Sequence, residues 1–223
     1  MVAEADIEFL EALLSPERIE RIDHVVQKRL RGLTAVLEDV HHPQNMGACI
    51  RTLEAMGIQD VHVVEPRDRF VPNEKITQGC HKWVDLHRHK TTLEAVTALR
   101  AQGFRIVATS LNTEHTIGDL DFSQPTALCF GNELDGVTDE LVSLADDMFK
   151  IPMFGFTQSF NLSVALALCM NTAANARREH LGADTDLDAA DQANLRDLWI
   201  RRACKNIRKI EEAINRQNRS AEA

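Results

Sequence analysis

The chain has 223 residues, of which 44% are hydrophobic, enough to bury one good-sized core with terminal additions. Its five cysteines are odd in number, widely spaced and without a CxxC pair, which argues against a disulfide framework and indicates reduced thiols. No apolar run reaches the length of a membrane span, and the acidic first segment is unlike a signal peptide. We therefore expect a soluble, cytoplasmic protein without a membrane partner.

The net charge of −9 conceals an uneven distribution of charge. Residues 106–149 include nine acidic residues and no lysine or arginine, whereas residues 195–219 carry eight basic residues against three acidic ones. Residues 18–31 carry five basic residues against two acidic ones. Basic ends of this kind are compatible with nucleic-acid binding, and equally with two solvated helix faces.

The first half of the chain alternates helix and strand patterns. Ser15-Pro16 predicts a helix N-terminus, and apolar residues at three- and four-residue spacing continue an amphipathic helix to about Leu30. LTAVLEDV predicts a buried strand, HHPQN a turn, MGACIRTLEAM a helix that Gly57 ends, and VHVV the next strand. The polar segment 67–90 has no clear period and predicts a loop with short elements.

The second half continues the alternation. TTLEAVTALRAQG predicts a helix closed by Gly103, and FRIVATS and TALCF predict strands. Residues 137–145 predict a helix, MFKI a short strand, and residues 162–178 a long helix. An acidic connector, GADTDLDAADQAN, precedes a C-terminal helix with an apolar stripe from Leu198 to Ile214. This order predicts an α/β fold, a mostly parallel sheet with helices on both faces, flanked by N- and C-terminal helices.

Polar residues follow several predicted strands, where the ligands of open α/β sheets bind. They are Asn45, Thr109, Asn132 with Glu133, and Ser159 with Asn161. GNELDG lacks the Lys-Ser/Thr of a P-loop, and no GxGxxG follows the first strand, which excludes the usual phosphate and dinucleotide motifs. These loops predict a ligand site of another kind.

Some of these residues have more than one interpretation. Four potential zinc ligands fall within one short segment: Cys80, His81, His87 and His89. The same segment also suits a polar surface loop. Glu133 is a candidate catalytic acid or base, or a carboxylate that favours a helix N-terminus. Ser159 lacks the GxSxG setting of a hydrolase nucleophile, and Asn161 suits a plain helix N-cap.

Three segments of the chain form a specific combination: PQNMGACIRTLEAMG, ALCFGNELDGVTDELVSLAD and IPMFGFTQSFNLSVALALCMNTAANARR. In this order they resemble the three motifs of the SpoU branch of the SPOUT RNA 2′-O-methyltransferases. The resemblance covers about Leu33 to Arg178. The basic flanks are most similar to members that methylate guanosine 18 in the D-loop of tRNA; action on another tRNA nucleoside or on ribosomal RNA is the alternative.

The resemblance implies a SPOUT-type fold whose C-terminal part forms a trefoil knot, a rare exception to unknotted topology. It also implies S-adenosylmethionine as cofactor, tRNA as partner, a homodimer and no metal. Residues 1–32 would be a basic, helical RNA-binding extension and residues 33–180 the methyltransferase domain. Residues 181–223 would be the acidic connector and the basic C-terminal helix.

The resemblance also implies three sets of site residues. The catalytic set is Arg51, Asn45, Glu133, Ser159 and Asn161. The cofactor-binding set is Thr109, Leu111, Gly131, Glu133, Ile151, Met153, Ser159, Asn161 and Leu162. The RNA-binding set, expected to contact phosphates, is Arg18, Arg21 and Arg29. Because arginine stays protonated in proteins, we expect Arg51 to anchor the ribose hydroxyl or an adjacent phosphate rather than to accept a proton.

Two other classes of protein are possible alternatives. A non-catalytic RNA-binding paralogue would be expected to lack Asn45, Arg51, Glu133 or Asn161, and this chain has all four. A metal-dependent hydrolase built on Cys80 and the nearby histidines would contain bound zinc.

Overall fold

A computed structural model describes residues 6–66, 70–71 and 74–204. The chain divides into two compact units, one formed by Arg29–Asp186 and the other by Met1–Lys28 together with Leu187–Ala223. None of the helices in the described ranges combines the length and hydropathy that crossing a membrane requires.

The larger unit is built on a six-stranded sheet in which the described strands are all parallel, in the order β3-β2-β1-β5-β4-β6. The strands are β1 (Leu33–Glu38), β2 (Asp60–Val64), β3 (Asp85–His89), β4 (Arg105–Thr109), β5 (Thr126–Phe130) and β6 (Asp147–Phe149). Strands β1, β2 and β5 are buried at every position, as expected of a parallel sheet covered on both faces. The predicted α/β class is confirmed.

The α-helices described in this unit are α3 (Pro43–Ala55), α4 (Glu74–Thr77), α5 (Thr92–Ala101), α6 (Asp139–Leu144) and α7 (Leu162–Leu181). Apolar residues of α3 and α7 pack with Leu37, Val63 and Leu128 in one core cluster. Residues of α5 and α6 pack with Val36 and Ala127 in a second cluster. Because neighbouring strand residues point to opposite faces, helices cover both sides of the sheet, as predicted.

Strand β3 lies within residues 67–90, for which the sequence predicts a loop with short elements. It is an edge strand, only partly buried, so it needs no apolar alternation. Its side chains form polar and ring contacts with β2 instead. The His87 ring contacts the Asp60 carboxylate at 2.7 Å, and the His62 ring stacks on those of both His87 and His89.

Helix α3 begins at Pro43, three residues before the predicted start, with His42 as its N-cap. Proline suits this first position because its missing N–H would be unpaired there in any case. Gly57 follows the helix with φ of 82°, the left-handed conformation that favours glycine, as predicted. The earlier start places Asn45 in the first turn of α3 rather than in a free turn.

The smaller unit contains α1 (Ile7–Glu11), α2 (Pro16–Val26) and α8 (Ala189–Ala203). Its apolar centre includes Leu10, Ile22 and Trp199, all less than 5% exposed. Helix α8 starts inside the segment predicted to be a connector, because Asp188 caps it by accepting from the Asp191 amide at 2.8 Å. The end of the predicted apolar stripe, residues 207–214, lies outside the described residues.

Candidate functional site

The polar loops predicted from the sequence lie at the carboxyl ends of neighbouring parallel strands in the larger unit. Strand β1 leads through residues 39–42 into α3, β5 leads into residues 131–138, and β6 leads through residues 150–161 into α7. Strands β1 and β5 pair directly, and β4 lies between β5 and β6. The loops therefore meet at one edge of the sheet.

Asn45 and Glu133 join the first two loops. The Asn45 Nδ2 donates to Glu133 Oε1 at 2.6 Å, and the His41 amide donates to Glu133 Oε2 at 3.3 Å. Burial opposes ionisation of Glu133, but hydrogen bonds from Asn45 and from the backbone of Glu133, His41 and His42 outweigh it and lower its pKa. Glu133 is therefore an ionised acceptor at neutral pH. The backbone donors of His41 and His42 directly precede α3, so the N-terminus of that helix lies beside Glu133.

Asn161 connects the third loop to the same group. Its Oδ1 accepts from the amide and the hydroxyl of Ser163, at 2.9 and 2.7 Å, which confirms the predicted N-cap of α7. Its Nδ2 donates to Asn45 Oδ1 at 3.1 Å. Asn45 thus lies between Glu133 and Asn161 in one chain of hydrogen bonds. Its two partners are 88 and 116 positions away from it in the sequence.

The loop after β5 is folded tightly on itself. The Asn132 amide donates to the Gly136 carbonyl at 3.0 Å, and Asn132 Oδ1 accepts from the amides of Leu134 and Asp135. A Cβ atom added to Gly131 would lie 1.8 Å from the Gly136 carbonyl oxygen, so no other residue fits without moving the backbone. The glycine is required by this fold-back, which holds Glu133 at the edge of the sheet.

The other residues predicted to bind a cofactor lie at the same edge. Thr109 ends β4 and donates to the Cys129 carbonyl at 3.2 Å, and Leu111 follows it with 76% of its surface exposed. Ile151 and Met153 follow β6 and are partly buried, and Leu162 opens α7 with 8% exposed. These residues bring apolar and polar side chains to the same edge of the sheet.

Arg51 and Ser159 are placed differently from the asparagines. Both side chains are exposed, and neither forms a hydrogen bond or ion pair within the described residues. Arg51 lies on α3 six residues beyond Asn45, nearly two turns along the helix. The hydrogen-bonded chain therefore does not include Arg51, whose exposed charge has no ion pair within the described residues.

The three arginines predicted to contact RNA separate into two environments. Arg18 and Arg21 are exposed on α2 of the smaller unit. Arg29 is fully buried in the larger unit, and its prediction as a phosphate contact is wrong. Its guanidinium donates to Gln59 Oε1 and to the Glu54 and Ile58 carbonyls, at 2.7 to 2.9 Å. Burial lowers its pKa to about 10, despite the opposing charge of Glu54.

The potential zinc ligands are spread over separate contacts. Cys80 is buried, which raises its pKa to about 11, and His81 contacts the Thr77 hydroxyl at 2.7 Å. His87 contacts Asp60, and His89 contacts His62 at 3.0 Å. Across the described part of the chain, no group of three or more His, Cys, Asp or Glu side chains is arranged to hold a metal ion.

One residue that the sequence interpretation did not select lies beneath this edge. Glu38, the last residue of β1, is 2% exposed and hydrogen-bonded to Thr92 and Thr138. Its sequence signal is a carboxylate at the end of an otherwise apolar strand, which is expensive to bury without partners.

An open parallel sheet with polar loops gathered at the carboxyl edge defines a ligand-binding α/β domain of the kind that many enzymes use. The model of the SpoU rRNA Methylase family matches residues 32–171. The chain therefore belongs to the SpoU methylase family, as its three motifs predicted.

Relatives and solved structures agree with this assignment. The chain is 39% identical to a tRNA (guanosine(18)-2′-O)-methyltransferase of Borreliella burgdorferi, over 92% of this chain and 94% of the relative. It is similar to the crystal structure of the A. aeolicus TrmH/SpoU tRNA modifying enzyme, with a TM-score of 0.77, 31% identity, and coverage of 88% of this chain and 100% of that one. It also resembles the SpoU methyltransferase AviRb from Streptomyces viridochromogenes in complex with the cofactor AdoMet. The TM-score of this match is 0.58, with 26% identity, and it covers 67% of this chain and 61% of that one.

Proposed function

We propose that this protein transfers a methyl group from S-adenosylmethionine to the ribose 2′-oxygen of guanosine 18 in the D-loop of tRNA. The observation that carries the proposal is the chain Glu133–Asn45–Asn161, which brings the three family motifs into direct contact. The Borreliella burgdorferi relative, matched over 94% of its length, supports the choice of tRNA and of the guanosine.

The residues at the carboxyl edge fit such a cofactor. A ligand with an adenine ring and a charged amino-acid part needs apolar surface beside hydrogen-bonding groups. Leu111 and Leu134 are 76% and 78% exposed, and Thr109, Ser159 and Asn161 lie on the loops of the same edge. We assign Thr109, Leu111, Gly131, Ile151, Met153 and Leu162 to holding it. When bound, S-adenosylmethionine supplies the electrophilic methyl group.

The protein contributes mainly by positioning, because a methyl transfer needs an in-line approach of the ribose oxygen. Asn45 is held on both sides, by Glu133 and by Asn161, so its amide has a fixed orientation. Glu133, whose pKa is lowered, is a weak base and a good hydrogen-bond acceptor. We therefore assign Glu133 and Asn161 to orienting Asn45 and the ribose.

Arg51 is proposed to grip the substrate. Its guanidinium is exposed and has no hydrogen-bonding partner in the described residues, so it is free to make a bidentate contact with a phosphate or to polarise the ribose hydroxyl. With the hydroxyl held in this way, its proton would be released late, to solvent, when the ribose oxygen accepts the methyl group.

Binding of tRNA is assigned to the basic ends of the chain. Arg18 and Arg21 lie exposed on α2 and would contact phosphates without reading sequence. This assignment keeps the division into a basic extension (1–32), a methyltransferase domain (33–180) and a basic C-terminal segment (181–223), with Arg29 removed from the RNA-binding set.

We further propose a cytoplasmic homodimer with a knotted C-terminal part. Phe154 and Phe156 are essentially fully exposed, and Val164 and Leu168 on α7 are 45% and 47% exposed. Exposed apolar residues in such number support a surface that associates with a second copy. All five cysteines are free and buried, which suits a reducing compartment.

The test is methylation of unmodified tRNA by the purified protein with labelled S-adenosylmethionine, followed by mass-spectrometric mapping of 2′-O-methyl sites. We expect a single methyl group at guanosine 18, and none in a transcript in which that guanosine is replaced by adenosine. Methylation of ribosomal RNA with no methylation of tRNA would overturn the substrate, and no methyl transfer to either RNA would overturn the reaction.

A further inference from the structure

Glu38 is a buried carboxylate that the proposed reaction does not use directly. Its Oε1 accepts from the Thr138 hydroxyl at 2.7 Å and from the Thr92 hydroxyl, and its Oε2 accepts from the Thr138 amide at 2.8 Å. No lysine, arginine or histidine of the described ranges forms an ion pair with it. A buried carboxylate held by neutral donors alone is costly, so its position calls for a structural explanation.

The two partners of Glu38 lie on different elements. Thr92 is the first residue of α5, on the face of the sheet away from α3. Thr138 is the N-cap of α6 and ends the loop 131–138 that carries Glu133. Of these contacts, only those with Thr138 reach the loop of the second motif.

The contacts close a ring at the carboxyl edge of the sheet. Segments 38–45 and 133–138 run between two junctions, the Asn45–Glu133 contact at one end and the Glu38–Thr138 contacts at the other. Asp39, directly after Glu38, has φ of 47°, a left-handed conformation that costs energy for residues other than glycine. The turn that leads towards Asn45 therefore starts directly after Glu38, whose carboxylate accepts hydrogen bonds from Thr138.

We propose that Glu38 is a positioning residue, which fixes the loop 131–138 so that Glu133 and the Gly131 backbone stay in place against Asn45. The proposal rests on the methyltransfer function proposed above for its catalytic consequence, but not for its effect on the loop. A displacement of about 1 Å in a catalytic group can lower a rate by about 100-fold, so loosening this ring should affect turnover.

The experiment compares four variants by two independent measurements. Glu38→Gln replaces an acceptor oxygen with a donor, and Thr138→Val removes the hydroxyl that reaches Glu38. Thr138→Ser keeps that hydroxyl and the cap of α6, so it serves as the conservative rescue. Thr92→Val removes a hydroxyl from the same carboxylate without touching the loop, and is the matched control.

The first measurement is hydrogen–deuterium exchange of peptides covering residues 131–138, which needs no substrate. We expect exchange about ten-fold faster in Glu38→Gln and Thr138→Val, and unchanged in Thr138→Ser and Thr92→Val. If exchange of residues 131–138 is accelerated equally in Thr92→Val, the Glu38 carboxylate contributes only to general packing and the proposal is wrong. Unchanged exchange in Glu38→Gln would overturn the proposal, and if that variant does not fold, the Thr138→Val and Thr138→Ser pair decides.

The second measurement is kcat for tRNA methylation at saturating tRNA and S-adenosylmethionine, well below each variant's melting temperature. We expect kcat to fall by 10- to 100-fold in the two loop-loosening variants and by less than three-fold in the other two. If the loop loosens while kcat is unchanged, the positioning role is wrong. If the wild-type protein methylates no RNA, the proposed function fails while the exchange result stands by itself.

Discussion

The amino-terminal end of the parallel sheet and the exposed face of helix α3 use charged residues in opposite ways. At the amino-terminal end, Arg31 contacts Asp60 and Asp85 at 2.7 and 3.0 Å, and Asp186 accepts from the amides of Arg31 and Gly32. Helix α3 leaves the carboxyl end of the sheet, and on it Arg51 is exposed without an ion pair in the described residues. Paired charges stabilise the fold in the first region, and the exposed arginine of the second region is the one proposed to bind a substrate.

This difference shows why an arginine in a basic segment is a poor guide to RNA binding without a structure. Arg21 and Arg29 belong to the same basic segment, residues 18–31, yet Arg29 is fully buried and Arg21 is exposed. A guanidinium whose donors are used by carbonyl groups has none left for a phosphate. The following predictions separate the residues that stabilise the fold from those proposed to act on a substrate.

The largest effect is expected for Arg29→Met, which keeps much of the side-chain volume but leaves Gln59 and two carbonyls without their donor. Loss of these buried hydrogen bonds should lower the free energy of unfolding by about 3 kcal/mol. Urea denaturation measures this change. A variant of unchanged stability with weakened tRNA binding would restore Arg29 to the RNA-binding set.

The next effect is expected for Arg51→Met, the same substitution at an exposed arginine of α3. It should lower kcat/KM by about 100-fold, equivalent to about 2.7 kcal/mol of transition-state stabilisation. Because the side chain is exposed and unpaired, the free energy of unfolding should change by less than about 0.5 kcal/mol. Arg51→Lys should keep part of the activity, and loss as complete as in Arg51→Met would argue against an anchoring role.

A smaller effect is expected for the coupling between Glu133 and Asn161, which both contact Asn45. Glu133→Gln and Asn161→Ala should each lower kcat by about ten-fold, and together by much less than the product, because either change frees Asn45. A double-mutant cycle on kcat gives a coupling of about 1 kcal/mol. Additive losses would mean that the two residues act independently.

The smallest effect is expected in the terminal unit, for the double variant Arg18→Gln and Arg21→Gln. Loss of two phosphate contacts should weaken tRNA binding by about ten-fold at low salt and reduce the slope of log K against log salt by about 2. Filter binding between 50 and 200 mM salt measures this slope. An unchanged slope would identify the basic face of α2 as solvated surface.

Much of the fold was predictable because five of the six strands are apolar and end at recognisable turns. Strand β3 was not predictable, since DLHRH is stabilised by polar contacts to β2 rather than by burial. The sequence predicts a helix that continues to about Leu30, because neither Gln27 nor Lys28 is a helix-breaking residue. In the structure, α2 ends earlier, at Val26. The turn there depends on long-range burial of Arg29 and Leu30, which local sequence does not encode.

The candidate site was predictable in its location but not in its contacts. Loops at strand ends indicated Asn45, Glu133 and Asn161, and the family prediction from the three motifs is confirmed by the family match. Their direct contacts depend on pairing of β1 with β5 and on the start of α7, which no local pattern defines. Glu38 was overlooked because it falls within an apolar strand and its partner Thr138 is 100 residues away.

The most direct test of a cofactor site at the carboxyl edge is hydrogen–deuterium exchange of the wild-type protein with and without S-adenosylmethionine. We expect slower exchange in peptides covering residues 109–111, 131–136 and 151–162, and no change at residues 29–32 or 184–186 at the other end of the sheet. Protection confined to the amino-terminal end, or to the helices of the terminal unit, would contradict this location of the site.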